Sequence, residues 1–209
     1  MKRNLALAVV VVVALAAGYW AFASHQKSSQ QRAIGALVGE TTAVLREGLA
    51  GKASADDLKR LDALVERLHA EKATRQRALA DAAENYLLGS RAVLQRRIEA
   101  ARRAQNAATV RQLVVAHLSA PRGRNDAWIR QATELKKRMD QAYFDENVAL
   151  EALAELLRAL PETQERLAPQ LGRGAVIEED VVIAAVRRTE DDLKRTAAER
   201  ENAGKLVLR

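Results

Sequence analysis

Apolar positions along this chain form one unbroken block followed by a series of spaced stripes. The block runs from Leu5 to Ala23, LALAVVVVVALAAGYWAFA, 19 residues without a charge, close to the ~20 that cross a hydrocarbon core as a helix. Lys2 and Arg3 precede it, and Tyr19, Trp20 and Phe22 crowd its far end. Basic residues ahead of an apolar helix favour a cytoplasmic N-terminus, and aromatic rings favour the membrane interface. The segment marked by Leu5, Val11, Gly18, Tyr19, Trp20 and Ala23 therefore reads as a single-pass anchor in the inner (cytoplasmic) membrane, with the rest of the chain in the periplasm or outside. A second reading fits the same residues: a basic n-region, an apolar h-region ending at Ala17, Gly18 as a breaker and Ala21-Phe22-Ala23 as an A-x-A site. Cleavage there would release a soluble periplasmic chain beginning at Ser24.

After the block comes a polar stretch, Ser24 to Arg32, which reads as a juxtamembrane spacer. Ile34, Leu37, Val38, Leu45 and Leu49 follow at helical spacing, interrupted by Gly35 and Gly39, so residues 24–53 predict a spacer and a short helix. Gly48, Gly51 and Ser54 mark a turn, and Ser54-Ala-Asp-Asp57 has the form of a capping box. From Ser54 to Ala120 there is no proline and a single glycine, Gly89. One apolar stripe runs through Leu58, Leu61, Val65 and Leu68, and another resumes at Leu79, Ala83, Tyr86, Leu87, Leu94 and Ile98. The polar stretch between, His69 to Arg77, is either a solvated section of one long helix or a helix–helix corner, and a continuous or kinked helix is the expectation here. Ala120-Pro-Arg-Gly-Arg124 breaks it, Asn125 or Asp126 can cap the next helix, and that helix runs to Leu160. The two should pack antiparallel. Pro161, Pro169, Gly172 and Gly174 form a link to a last helix from about Val176 to Ala203. The fold expected is all-α: a membrane-spanning or signal helix over 1–23, a spacer and short helix over 24–53, an elongated antiparallel hairpin or bundle over 54–160, and a link and C-terminal helix over 161–209.

Composition agrees and removes alternatives. With 48% hydrophobic but only 3% aromatic residues, and 3 prolines in 209 residues, the chain lacks the β-branched, aromatic and turn-rich character of sandwiches and barrels. Zero cysteines exclude disulfides, thiolate nucleophiles and Cys-held zinc or iron–sulfur sites. The formal charge of +7 includes Lys2 and Arg3, which leaves a modest excess on the body. Arg91 to Arg111 holds six arginines against Glu99 alone, which makes Arg96, Arg97, Arg103 and Arg111 a candidate basic surface: a solvated helix face, or an attractor of anionic lipid headgroups or envelope polymers. No aromatics interleave these arginines, so nucleic acid is not an expected partner.

Chemistry is sparse. His25, His69 and His117 are far apart, Glu66-Arg-Leu-His69 is only half of a helical di-iron pattern, and Ser24-His-Gln-Lys27 lacks its K-T-G and S-D-N companions. Gly172-Arg-Gly174 is no dinucleotide loop, and the phosphate-binding G-x-x-x-x-G-K-[ST] is missing. The carboxylate clusters Asp56/Asp57, Glu178/Glu179/Asp180 and Glu190/Asp191/Asp192 read as helix starts and solvated faces. No enzyme, metal or cofactor is implied. The expected function is a membrane-tethered extracytoplasmic scaffold or adaptor acting through protein–protein contacts, including self-association. Its stripes at Leu87, Leu94, Ile98, Leu150, Leu153 and Leu157 are surfaces that two or three helices would leave partly bare. The alternatives are a ligand-sensing bundle of chemoreceptor-like architecture, by fold-level analogy, and a soluble periplasmic chaperone if the N-terminus is cleaved.

Overall fold

A computed structural model describes residues 2–71, 76–120 and 125–206. The helices are α1 (Lys2–Glu47), α2 (Ala55–Ala70), α3 (Arg77–Ser119), α4 (Asp126–Gln164), the single turn α5 (Ala168–Leu171) and α6 (Glu179–Leu206), with no strand among the described residues. The all-α expectation holds, as a bundle built on a long hairpin.

The expected spacer is helix. Ser24 to Arg32 lie inside α1, where Ser24 Oγ donates to the Trp20 carbonyl at 2.9 Å and Ser28 Oγ to that of His25 at 2.9 Å. Such back-bonding satisfies a serine inside a helix. Gly35 and Gly39 cost about 1 kcal/mol each relative to alanine, yet the helix runs through them because Ile34, Leu37, Val38, Thr41, Thr42, Val44 and Leu45 are all buried on one face. It ends in a wide π-type turn over Gly48–Lys52 in which Gly51 has φ +105°, a conformation that favours glycine. Gly48 has a different role. A Cβ there would lie 2.3 Å from Leu94 Cδ2, so its bare backbone lets the end of α1 close onto α3.

Ser54 then starts α2 with the reciprocal cap the sequence implies: its Oγ accepts from the Asp57 amide at 3.3 Å and the Asp57 carboxylate accepts from the Ser54 amide at 2.9 Å. The expected continuous helix over 54–119 does not form. α2 ends at Ala70 and α3 begins at Arg77, and the two pack on each other through the Arg91–Asp62 ion pair and a 2.8 Å contact between His69 Nε2 and Glu84. The reason is burial. Leu61, Leu64 and Leu68 reach the same core as Leu79, Ala83 and Tyr86 only if the chain turns back, whereas a straight rod leaves both stripes in water. The hairpin is therefore α3–α4, over 77–164 rather than 54–160. Asn125 caps α4 by accepting from the Trp128 amide at 2.9 Å, and α4 continues past Pro161 to Gln164.

The main core gathers α1, α2, the first half of α3, the second half of α4, the link and the start of α6. Tyr86 lies near its centre, fully buried. Its hydroxyl sits 2.9 Å from Thr42 Oγ1 and accepts from the Ile177 amide at 3.2 Å, while Thr42 Oγ1 lies 2.7 Å from the Ala175 carbonyl. One phenol thus ties α1 and the Pro/Gly link to α3. A second, smaller cluster of Ala107, Val114, Met139, Ala142, Tyr143 and Ala203 holds the far half of the hairpin to the end of α6. The leucine stripe expected to await a partner is covered: Leu87, Leu94, Leu150, Leu153 and Leu157 are buried and Ile98 half-buried, because α1, α2 and α6 supply faces that a two-helix hairpin lacks.

α1 runs in the same direction as α3, since Lys27 lies beside Gln76, Thr42 beside Tyr86 and Gly51 beside Arg97. The N-terminal half of α1 and the α3–α4 tip are consequently at opposite ends. No helix among the described residues is long and apolar enough to cross a membrane. Leu5, Val11, Gly18 and Ala23, on which the membrane expectation rests, lie outside the residues whose side chains are described. Tyr19, Trp20 and Phe22 are 69%, 73% and 63% exposed.

Candidate functional site

A cleft of about 170 Å³ lies where α3, α4 and α6 meet beside the Gly48–Lys52 turn. Arg97 from α3, Glu146 from α4, and Thr189, Asp192 and Arg195 from α6 line it, against an apolar wall that includes Ile98, Leu150 and Leu153. Glu146 sits in the apolar stripe of α4 and is 3% exposed. Burial pushes its carboxyl above the usual carboxylate range, opposed by the Thr196 hydroxyl, which donates at 3.0 Å, and by Arg195 at 3.9 Å. Arg195 is itself paired with Asp192 at 3.0 Å and Glu199 at 3.7 Å.

Arg97 is the exception. Its guanidinium has no hydrogen bond or ion pair among the described residues, and burial, then the nearby positive charge of Arg188, lower its pKa against the pull of Asp192. Arg188 meanwhile donates to the Leu49 carbonyl at 3.2 Å. A half-buried guanidinium without an acceptor suits one small anion. The cleft brings together no nucleophile and base, since Thr189 donates to the Ala185 carbonyl and Thr196 to Glu146.

The four arginines singled out from sequence do not make one surface. Arg96 pairs with Glu99 at 2.7 Å, Arg103 with Asp145 at 3.1 Å and Arg111 with Glu199 at 3.5 Å, while Arg97 turns into the cleft. Three are thus spent on acids of α3, α4 and α6. The isolation of Arg97 was readable: positions 93, 94, 100 and 101 are Val, Leu, Ala and Ala, so no carboxylate lies at helical spacing, whereas Arg96 and Arg103 flank Glu99 at i+3 and i−4. Glu146 likewise stands among Ala142, Tyr143, Ala149 and Leu150, which is the signal of a buried acid and was missed. His69 turns to Glu84 rather than Glu66. His117 stacks on Trp128, ring centroids 5.0 Å apart, with Nε2 3.2 Å from the Trp128 carbonyl.

Beyond α1, exposed apolar side chains lie near the α3–α4 tip at Leu113 (53%), Val115 (45%) and Ile129 (50%), on α4 at Phe144 and Val148, and singly at Leu88 and Ile183. No protein-family model, curated protein or solved structure matches the chain.

Proposed function

We propose that this protein is a membrane-tethered, extracytoplasmic helical scaffold that acts through protein–protein contacts and performs no catalysis. The observation that carries the reading is the continuity of α1. One helix spans Lys2–Glu47, its first half bearing the 19-residue apolar run and its second half buried in the main core. A Ser/Gln spacer in random coil would let the bundle tumble freely, whereas a helix fixes its distance from the bilayer and its orientation. The exposed Tyr19, Trp20 and Phe22 stand where headgroups would meet an anchored helix. Phe144 and Val148 on α4, flanked by Arg96 and Arg103, give the bundle a surface for a protein partner or a second copy.

The test is the intact mass of the native protein in separated membrane and soluble fractions. A full-length chain in the membrane fraction that resists carbonate extraction supports the tether. A soluble chain beginning at Ser24 overturns it and favours the periplasmic chaperone.

A second reading, ligand sensing, draws on the unpartnered Arg97 in its cleft. Its ligand would be a small carboxylate with a short apolar tail to lie on Ile98, Leu150 and Leu153. Thermal melts with short-chain carboxylates test it: stabilisation by one of them, lost in Arg97→Gln, supports sensing, and no shift with any removes it.

A further inference from the structure

The stretch 112–138, from the end of α3 into the start of α4, holds most of the uncompensated charge of the sequence. Of 34 Lys/Arg and 27 Asp/Glu, residues 112–138 take six and two: Arg122, Arg124, Arg130, Lys136, Lys137 and Arg138 against Asp126 and Glu134. Lys2 and Arg3 are a further two cations, which leaves 26 basic and 25 acidic residues everywhere else. Unpaired cations occur elsewhere, at Arg77, Arg97 and Arg102 for example, but the tip gathers four of them. Cross-helix ion pairs tie α1 to α2 and to Glu178, α2 to α3, α3 to α4 and both α3 and α4 to α6. Arg130, Lys136, Lys137 and Arg138 make none among the described residues. Among these unpaired cations lie exposed aliphatic side chains. Ile129 shares a helix face with Lys136 and Lys137, seven and eight residues on, and Leu113 and Val115 flank the buried Val114 on α3.

We propose that this tip binds an anionic lipid surface, with Arg130, Lys136, Lys137 and Arg138 meeting headgroup phosphates and Leu113, Val115 and Ile129 entering the boundary between headgroups and acyl chains. Charge complementarity and apolar exposure select this occupant together. A nucleic acid or an acidic peptide neutralises the cations but leaves three aliphatic side chains in water, whereas a bilayer surface takes both. The aliphatics lie on both flanks of a two-helix end, which suits insertion end-on better than a groove that receives a helix. Lys27, in the part of α1 nearest the apolar run, lies level with Gln76. The tip is 43 residues of α3 further on, about 65 Å at 1.5 Å per residue. On the tethered reading, which the lipid contact itself does not require, the tip meets a second surface and the bundle is a strut between two.

The experiment places the full-length chain in phosphatidylcholine nanodiscs and measures its co-flotation with vesicles of phosphatidylcholine alone or with phosphatidylglycerol added. Capture should require phosphatidylglycerol and fall by about an order of magnitude at high salt, as screening demands. The triple variant Lys136→Glu/Lys137→Glu/Arg138→Glu should lose capture with an unchanged melting temperature. Leu113→Ser/Ile129→Ser, which leaves the charge alone, should weaken it. Equal capture by both vesicles, phosphatidylglycerol capture that survives the triple variant, or binding to duplex DNA or polyglutamate without vesicle capture each overturns the proposal. A chain that does not enter nanodiscs refutes the tether instead. It can then be floated directly, with the same triple variant deciding the fate of the tip.

Discussion

The two ends of the α3–α4 hairpin are made of the same two helices but are held by different means. At the α1 end, Leu87, Leu94 and Leu157 are fully enclosed, and the Tyr86 hydroxyl joins α1, α3 and the link. Toward the tip the buried residues shrink to Ala107, Val114, Met139, Ala142 and Tyr143, with Ala203 of α6 as the last support. The burial a hairpin achieves thus depends on how many other helices reach it, and so does the fate of its charges. Where α6 runs alongside, Arg103 and Arg111 find Asp145 and Glu199, and beyond it Arg130 and Lys137 find no acid. The α1 end hides its leucines, whereas the tip leaves Leu113, Val115 and Ile129 exposed and gathers four cations that make no ion pair among the described residues.

The largest test of that contrast is a matched truncation. Leu157→Ala removes a fully buried side chain and should cost about 3 kcal/mol, with a cavity the surrounding helices cannot close. Leu135→Ala, at a half-buried position beside the distal cluster, should cost about 1 kcal/mol, since less area leaves water. Urea denaturation of both variants measures the difference, and equal losses would erase the distinction between the ends. Gly48→Ala comes next, at about 2 kcal/mol, because its methyl must displace Leu94 inside a filled core.

Tyr86→Phe keeps the ring and deletes the hydroxyl, leaving the Ile177 amide without its acceptor. The loss should be about 1–2 kcal/mol, typical of an orphaned buried donor. Hydrogen exchange should locate it: the Ile177 amide should lose protection while amides of α4 near Met139 keep theirs. Smaller again is Glu146→Gln, which keeps an oxygen to accept from Thr196. Because burial raises the folded-state pKa of Glu146, its contribution to stability is complete below the ordinary carboxylate range and is lost as pH rises through the raised value. The glutamine variant should therefore melt about 2 °C higher at neutral pH, with the gain vanishing in acid. A gain that persisted in acid would mean that the charge of Glu146 is not its cause.

Much of this architecture was legible in the chain. The cap at Ser54 and the break at Ala120–Arg124 were placed from local chemistry, a second cap was narrowed to Asn125 or Asp126, and Ser54 and Asn125 satisfy amides as that spacing implies. The fold-back of α2 was not, because periodicity states which face of a helix is apolar and never where that face goes. His69 to Arg77 is polar whether it lies on a rod or at a corner. The leucine stripe was misjudged for the same reason: a short helix through Ile34, Leu37, Val38, Leu45 and Leu49 was expected, but its spacing did not say that it packs on α3 and helps α2 and α6 cover the stripe. Of the candidate site, Arg97 was named, but as part of a surface. Its place in a cleft opposite Glu146 depends on three helices converging, which no single helical spacing encodes.

The smallest expected effect bears most directly on why the tip is as it is. Lys136→Ala/Lys137→Ala/Arg138→Ala removes three cations that pair with nothing among the described residues, and alanine is an equal or better helix former. Stability should change by less than about 0.5 kcal/mol per substitution, as for surface positions without a specific partner. Arg103→Ala makes the paired control. It loses Asp145 and the contact with Glu99, which should cost up to about 1 kcal/mol for a half-exposed pair. If the triple variant melts lower than the Arg103 variant, the tip cations belong to the fold and the two ends differ only in degree. If it melts with the wild type, those charges are kept for something outside the chain, and the distal half of the hairpin is a surface built for contact rather than for the stability of the bundle.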